Sequence, residues 1–244
     1  MFKMYSSLAH LWPALNPLEE YSEEAYRLRQ LISPYILSVD TPSMVEFGSG
    51  GGRLLNRFTG EFQTNAVDLS PEMILQSKKL NPSTNHTVGD MRTINLDQQF
   101  DVVLIGDSVG YAVSERDLEL TIGNGRAHLK EDGVMILTPD WTEETFTTSN
   151  VWSRRAKTGS GEVALVEYQH RVNSAARSIR SAFVFIITED GSITVEIDHH
   201  TFGLHAKSVW GSVIGAAQLL GEVVPFLDNE YGLSKEAFVC KHSQ

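Results

Sequence analysis

Residues 46–52 read Glu-Phe-Gly-Ser-Gly-Gly-Gly, an acid at the end of an apolar run followed by glycines at alternate positions 48, 50 and 52. Glycines directly after a strand let backbone N–H groups approach a ligand with no Cβ in the way, and the start of the following helix adds partial positive charge. Such a turn suits a nucleotide-like ligand. The dinucleotide fingerprint needs glycine at its first, third and sixth places, and the sixth place here is Arg53, whose long side chain would stand in the helix–strand contact. A phosphate loop needs Gly-Lys-Ser/Thr at its end, and no such triplet follows Gly52. The turn is therefore read as a cradle for some other nucleoside.

Alternating strands and helices must position that turn. Ser22, with Glu23 and Glu24 in the first turn, predicts the start of a helix carrying Ala25, Leu28, Leu31 and Ile32 at helical spacing. Residues 44–47 predict a strand, the glycines a turn, and Leu54, Leu55 and Phe58 a helix running to Gly60. Residues 66–69 predict a second strand, and Ser70-Pro71 caps a second helix that runs towards Leu80. Phe100 to Ile105 has too few polar positions to be half solvated, as expected of a central strand in a parallel sheet. Glu115 to Lys130 reads as a helix weakened by Gly123 and Gly125, and Asp132-Gly133 turns into a strand over residues 134–137. This alternation predicts a doubly wound α/β sheet.

From residue 150 the period changes. Val163 to Arg171, Ser178 to Thr188 and Ser192 to His200 are β-rich, and Glu189-Asp190-Gly191 signals a tight hairpin, so a small antiparallel sheet is expected as an insertion. Ala206 to Leu220 predicts a helix stopped by Gly221, and residues 222–227 and 237–241 predict two closing strands. The expected organisation is one domain over residues 1–244. It comprises an N-terminal helical cap (1–40), a Rossmann-like core (41–140 and 206–244) and an inserted antiparallel sheet (141–205).

The series Glu46-x-Gly48-x-Gly50-x-Gly52, then Val67-Asp68-Leu69-Ser70-Pro71-Glu72-Met73, then Gly89-Asp90-Met91-Arg92, then Leu129-Lys130-Glu131-Asp132-Gly133-Val134 resembles the class I S-adenosylmethionine-dependent methyltransferases. The resemblance spans nearly the whole chain and implies a seven-stranded sheet with an antiparallel terminal strand. It implies S-adenosylmethionine as cofactor, held by Tyr21, Glu46, Gly48, Ser49, Gly50, Gly52, Asp68, Leu69, Asp90, Met91, Arg92 and Asp107. Asp68 would take both ribose hydroxyls, a charge-assisted contact roughly twice as strong as a neutral one, and Asp90 with the Met91 N–H would read the adenine. Taken singly, each acid is equally a cap or turn carboxylate.

Methyl transfer is an in-line displacement, so the protein mainly aligns the acceptor, excludes water and relays a proton. Asp107 or Tyr111, after the fourth core strand, is the expected catalytic group, and Tyr111, Asp140, Trp141 and His200 are expected at the acceptor. Glu20 to Ala25, Gly110-Tyr111, Pro139-Asp140-Trp141 and the insert resemble the small-molecule branch that includes the amino-sugar N,N-dimethyltransferases. That resemblance implies a histidine after Gly110, where this chain has Tyr111. Adjacent His199 and His200 would face opposite sides of a strand, which makes them poor joint metal ligands, and no metal is expected. Arg154, Arg155, Lys157, Arg171, Arg177 and Arg180 form a basic concentration, readable either as a solvated face or as a grip on an anionic substrate.

Acids outnumber Lys and Arg by 31 to 20, a net charge of −11 that repels a phosphate backbone and argues against nucleic acid as the main ligand. The single Cys240 excludes an internal disulfide and suits a reducing cytoplasm. The longest clean apolar runs, 102–105 and 182–187, are far shorter than the roughly 18 residues of a membrane helix, and residues 1–15 lack the ordered zones of a signal peptide. The expected partner is a small acceptor, with a homodimer formed through the inserted sheet. Alternatives are a non-catalytic binder of the same nucleoside, or a nucleotide-sugar oxidoreductase or epimerase, against which Arg53 speaks.

Overall fold

The computed structural model describes residues 2–37, 39–173, 177–228 and 234–243. After short helical turns come α1 (Trp12–Leu15), α2 (Tyr21–Ile36), β1 (Ser43–Phe47), α3 (Arg53–Asn56), β2 (Gln63–Asp68), α4 (Pro71–Leu80), β3 (Asn85–Val88) and β4 (Phe100–Ile105). The chain continues through α5 (Glu115–Ala127), β5 (Leu129–Leu137), β6 (Ser149–Lys157), β7 (Gly161–Arg171), β8 (Ser178–Glu189) and β9 (Ser192–Gly203). It closes with α6 (Lys207–Ala216), β10 (Leu219–Asp228) and β11 (Ser234–His242).

Seven strands form one sheet in the order β10-β11-β5-β4-β1-β2-β3. Neighbours from β1 to β5 pair in parallel, and β11 runs antiparallel to both β5 and β10. Period-two alternation divides the side chains of the central strands between two cores. Val45, Phe47, Val103, Ile105, Met135 and Leu137 meet α5 and α6 on one face. Met44, Val102, Leu104, Val134 and Ile136 meet α2 and α3 on the other. Gly125 permits close approach of α5 to the sheet, since a Cβ there would lie 2.6 Å from Met135 Sδ. Cys240 sits in the first of these cores as a buried free thiol, and burial pushes its pKa up to about 12.

The insert is a second sheet, β6-β7-β8-β9, antiparallel throughout. The hairpin between β8 and β9 turns at Asp190 and Gly191, both with positive φ (48° and 78°), as a two-residue primed turn requires. It has four strands where the β-rich stretches predict three. β6 was hidden because its half-buried positions alternate with charged ones, Arg155 and Lys157 among them.

Other element ends differ from expectation. Ser22 lies inside α2 and donates to the Glu19 carbonyl rather than capping the helix. α3 is one turn long, continued by tighter bonds from Arg57 N to Leu54 O and from Phe58 N to Leu55 O. α6 ends at Ala216, and Gln218 with φ 58° makes the break, so Gly221 belongs to β10 instead of ending the helix.

Truncating Leu104, fully buried on the central strand β4, removes contacts that nothing nearby replaces. Leu104→Ala is expected to destabilise the fold by about 2–5 kcal/mol. Urea denaturation would read this as a lower midpoint at unchanged slope. A loss below about 1 kcal/mol would show that this core collapses onto the space left behind.

Candidate active site

The strand order reverses between β1 and β4, and ligands of open α/β sheets bind beyond the carboxyl ends of the strands at such a point. Two loops meet there. Gly48, Gly50 and Gly52 all have positive φ (70°, 52° and 69°), a conformation available cheaply only to glycine. At Gly48 a Cβ would fall 2.2 Å from Ser108 Oγ, which donates to the Phe47 carbonyl at 3.1 Å. At Gly52 a Cβ would fall 2.1 Å from Ser77 Oγ. Because α3 is a single turn, bare main chain, more than a helix dipole, is what this loop presents.

Asp68 ends β2 beside the glycines. Its Oδ2 accepts from Gly50 N at 2.7 Å and its Oδ1 from Ser70 N at 2.8 Å, so one lone pair on each oxygen is left to face a ligand. Burial raises its pKa, an effect that the two N–H donors oppose. Leu69 beside it is exposed.

Asp90 follows β3 and is clamped by Arg92 through Nε (3.0 Å) and Nη2 (2.7 Å), while Arg92 Nη1 reaches Asp117 at 2.7 Å. The Arg92 side chain and backbone N–H hold Asp90 ionised, below the usual carboxylate range. Arg92, expected among the cofactor contacts, thus acts on the carboxylate beside it. The Met91 carbonyl accepts from Asn124 at 2.9 Å.

The opposite wall is acidic. Glu46 is buried on β1 with its Oε2 lacking a partner among the described residues, and Ser49 Oγ is likewise buried and unpartnered. Burial first, then the charges of Glu24, Asp68 and Asp107, raises the Glu46 pKa well above the ordinary carboxyl range. Tyr21, at the start of α2, feels Glu24, Asp107, Arg53 and Glu46, and burial raises its pKa. Such a wall favours a cation. A sulfonium nucleoside with an amino-acid tail fits in charge, fits the Cβ-free cradle, and would engage the orphaned Glu46 and Ser49 oxygens.

Asp107 and Asp140, after β4 and β5, converge on Lys235 of β11, a group that the sequence reading missed. The buried Lys235 ammonium donates to Asp107 and lies 3.3 Å from Asp140 Oδ1. Burial would lower its pKa, but Asp107, Asp140 and Glu24 outweigh this and raise it. The available signal was a lysine two residues ahead of the apolar run 237–240.

The turn after β4 and the insert bring Tyr111 and His200 together, with the Tyr111 hydroxyl 2.7 Å from His200 Nδ1 while it donates to the Tyr5 hydroxyl at 3.0 Å. His200 is buried and His199 exposed, the opposite facing expected of strand neighbours. Trp141 is almost wholly buried, donates to Gln169 Oε1 at 3.0 Å and packs on Phe146, yet it still borders a small cavity with Gly110 and Phe202.

The N-terminal segment closes over both layers. Met4, Leu8, Leu11 and Leu15 pack on Val163, Leu165, Phe183 and Phe185 of the insert. The Tyr5 and Ala9 carbonyls accept from Ser70 Oγ and from Gln76 Nε2 on the core. Of the basic residues near the insert, Arg154, Arg155, Arg171 and Arg177 pair with Glu20, Glu162, Glu143 and Glu115, which favours a balanced solvated face over an anion grip. No helix among the described residues is long and apolar enough to cross a membrane.

A family profile described as a methyltransferase domain matches residues 44–133. The chain is 26% identical over 209 residues to the dTDP-3-amino-3,6-dideoxy-alpha-D-glucopyranose N,N-dimethyltransferase of Streptomyces fradiae, covering 85% of this chain and 80% of that one. It is 29% identical over 161 residues to the dTDP-3-amino-3,4,6-trideoxy-alpha-D-glucopyranose N,N-dimethyltransferase of Streptomyces venezuelae, covering 65% and 67% of the two chains. The crystal structure of Streptomyces venezuelae DesVI superposes with a TM-score of 0.80 at 25% identity over 92% of each chain. Residues 44–133 thus match a methyltransferase domain, and most of the chain is similar to S-adenosylmethionine-dependent amino-sugar N,N-dimethyltransferases.

Proposed function

We propose that the chain methylates the amino nitrogen of a nucleotide-linked amino sugar. The observation that carries this reading is the acidic wall of Glu46, Asp68 and Asp107 at the strand ends with Glu24 of α2, which suits a cationic nucleoside and an ammonium acceptor together. Relatives that act on dTDP-linked amino sugars support the acceptor class. When bound, S-adenosylmethionine supplies the methyl group. In this reading Asp68 would grip the ribose hydroxyls, Asp90 and the Met91 backbone would read the adenine, and the bare main chain of Gly48 to Gly52 with Leu69 would line the cofactor. Tyr21, Glu46 and Ser49 face the amino-acid tail. Lys235 fixes Asp107 and Asp140 at the acceptor mouth, bordered by Trp141, while Tyr111 and His200 handle the acceptor's proton.

Residues 1–40 act as the cap, 41–140 and 206–244 as the cofactor core, and 141–205 as the acceptor and partner element. The outer face of the insert exposes Val151, Tyr168, Ile186, Ile193, Val195 and Ile197, with Ile186 opposite Val195 across β8 and β9. This apolar face supports a homodimer. The net charge argues against nucleic acid, and the lone buried Cys240 accords with a reducing cytoplasm.

Three measurements test these assignments. Asp68→Ala should weaken S-adenosylhomocysteine binding by about 1.5–3 kcal/mol in calorimetry, and an unchanged affinity would place the ribose elsewhere. Mass spectrometry with a panel of nucleotide-linked amino sugars and their hydroxyl analogues should find methylated amines, whereas methylation of the hydroxyl series alone would replace nitrogen with oxygen as the target. Sedimentation should give about twice the 27.1 kDa chain mass, reverting to monomer in Val195→Glu, and a wild-type monomer would end the dimer reading.

A further inference from the structure

An ammonium acceptor must lose a proton before its nitrogen can attack, and the turn after β4 carries Tyr111 where a histidine would serve. Asp107 is already engaged by the Lys235 ammonium. An imidazole nevertheless reaches the same place from another element. His200 on β9 sets its Nδ1 2.7 Å from the Tyr111 hydroxyl, and Asp198, two residues back on the same strand face, sets its Oδ2 3.1 Å from Nε2 in a bent ion contact. Met4 N donates to the same Asp198 oxygen at 2.8 Å, which holds the carboxylate still. Phe2 stacks on the imidazole at 3.9 Å between ring centres, and Phe183 lies at 4.6 Å. The ring is therefore fixed, dry and in contact with the tyrosine of the turn after β4.

We propose that His200, backed by Asp198, is a positioning residue that draws the acceptor's proton out through the Tyr111 hydroxyl. This rests on the amine-acceptor reading above. The Tyr111 O–H, which donates to Tyr5 at rest, turns to His200 Nδ1 and passes its proton there while its oxygen takes one from the acceptor nitrogen. One N–H bond of the ammonium breaks, the Tyr111 O–H is restored, and the nitrogen keeps the electron pair with which it attacks the methyl carbon. The resulting imidazolium lies against the Asp198 carboxylate, and its proton returns to water by the same path after the product leaves. The relay requires Nδ1 bare and Nε2 protonated.

The other charged or titratable groups facing this pair are Tyr5 and Lys3 from the N-terminal segment, with Lys3 paired to Glu196, and His199 on the far side of β9. Glu167 from β7 acts at longer range and is held by Ser181 and Gln169. Burial lowers the His200 pKa below its ordinary value despite Asp198, so the imidazole stays neutral and receptive at neutral pH. Activity that depends on it is present above that pKa and is lost as pH falls through it.

The test is the pH dependence of turnover in His200→Gln, which keeps a hydrogen-bonding side chain but cannot take the proton. Turnover at pH 7 should fall at least tenfold and recover as pH rises towards the amine's own pKa. KM and S-adenosylhomocysteine affinity should stay within about twofold of wild type, since removing a proton acceptor acts on the chemical step. A profile lowered by one constant factor at every pH would reduce His200 to packing and overturn the proposal. Asp198→Asn offers a second arm: its acidic limb should move to lower pH, and a profile superimposed on wild type would remove Asp198 from the relay. Imidazole nitrogen NMR on the wild-type protein decides the tautomer without any acceptor, and a protonated Nδ1 facing Tyr111 would refute the scheme. If no amino sugar is methylated, the acceptor reading falls on that result while the nitrogen spectrum still judges the relay.

Discussion

At Gly48 two loops meet so closely that Ser108 fills the space that any other side chain's Cβ would need. That single vacancy lets the loop after β1 and the loop after β4 touch across the reversal of strand order. The crevice between them inherits its shape from this contact. The Gly48 and Ser49 N–H groups both bond the Val67 carbonyl (2.8 and 3.0 Å), which ties the turn to β2 and brings Asp68 alongside. A side chain at position 48 would separate the loops, and the carboxylate at the end of β2 would lose its place opposite the turn.

Charge is distributed in pairs that orient one another. Arg92 holds Asp90 from one side, Lys235 holds Asp107 and Asp140 from another, and Glu46 is left buried with one oxygen unpartnered among the described residues. A buried ammonium between two carboxylates is strongly destabilising to break, because removing one partner leaves an uncompensated charge. Lys235 therefore holds the turns after β4 and β5 together.

Much of the fold was legible because parallel strands buried on both faces leave continuous apolar runs, as at 102–105, and because glycines with positive φ have no substitute at 48, 50 and 52. Asp68 and Asp90 were named through the family resemblance, and the fold sets them at the end of β2 and just after β3. What sequence alone hid was long-range. β6 alternates charged and half-buried positions too polar to stand out, and Lys235 resembles a surface lysine until β11 places it beside two carboxylates. The Tyr111–His200 contact joins residues 89 apart, and neither position announces the other. Residues 1–40 were expected as a helical cap, but nothing in them announced that the Tyr5 and Ala9 carbonyls bond the core and the Met4 amide the insert.

That strap is anchored on Ser70 and Gln76 at one end of its reach and on Asp198 and Glu196 at the other. The nucleoside crevice and the imidazole pocket thus share one cover. The strap's share of three of these bonds is main chain, the Met4 N–H and the Tyr5 and Ala9 carbonyls, so a side-chain change there leaves the donor and acceptors in place unless it brings in proline.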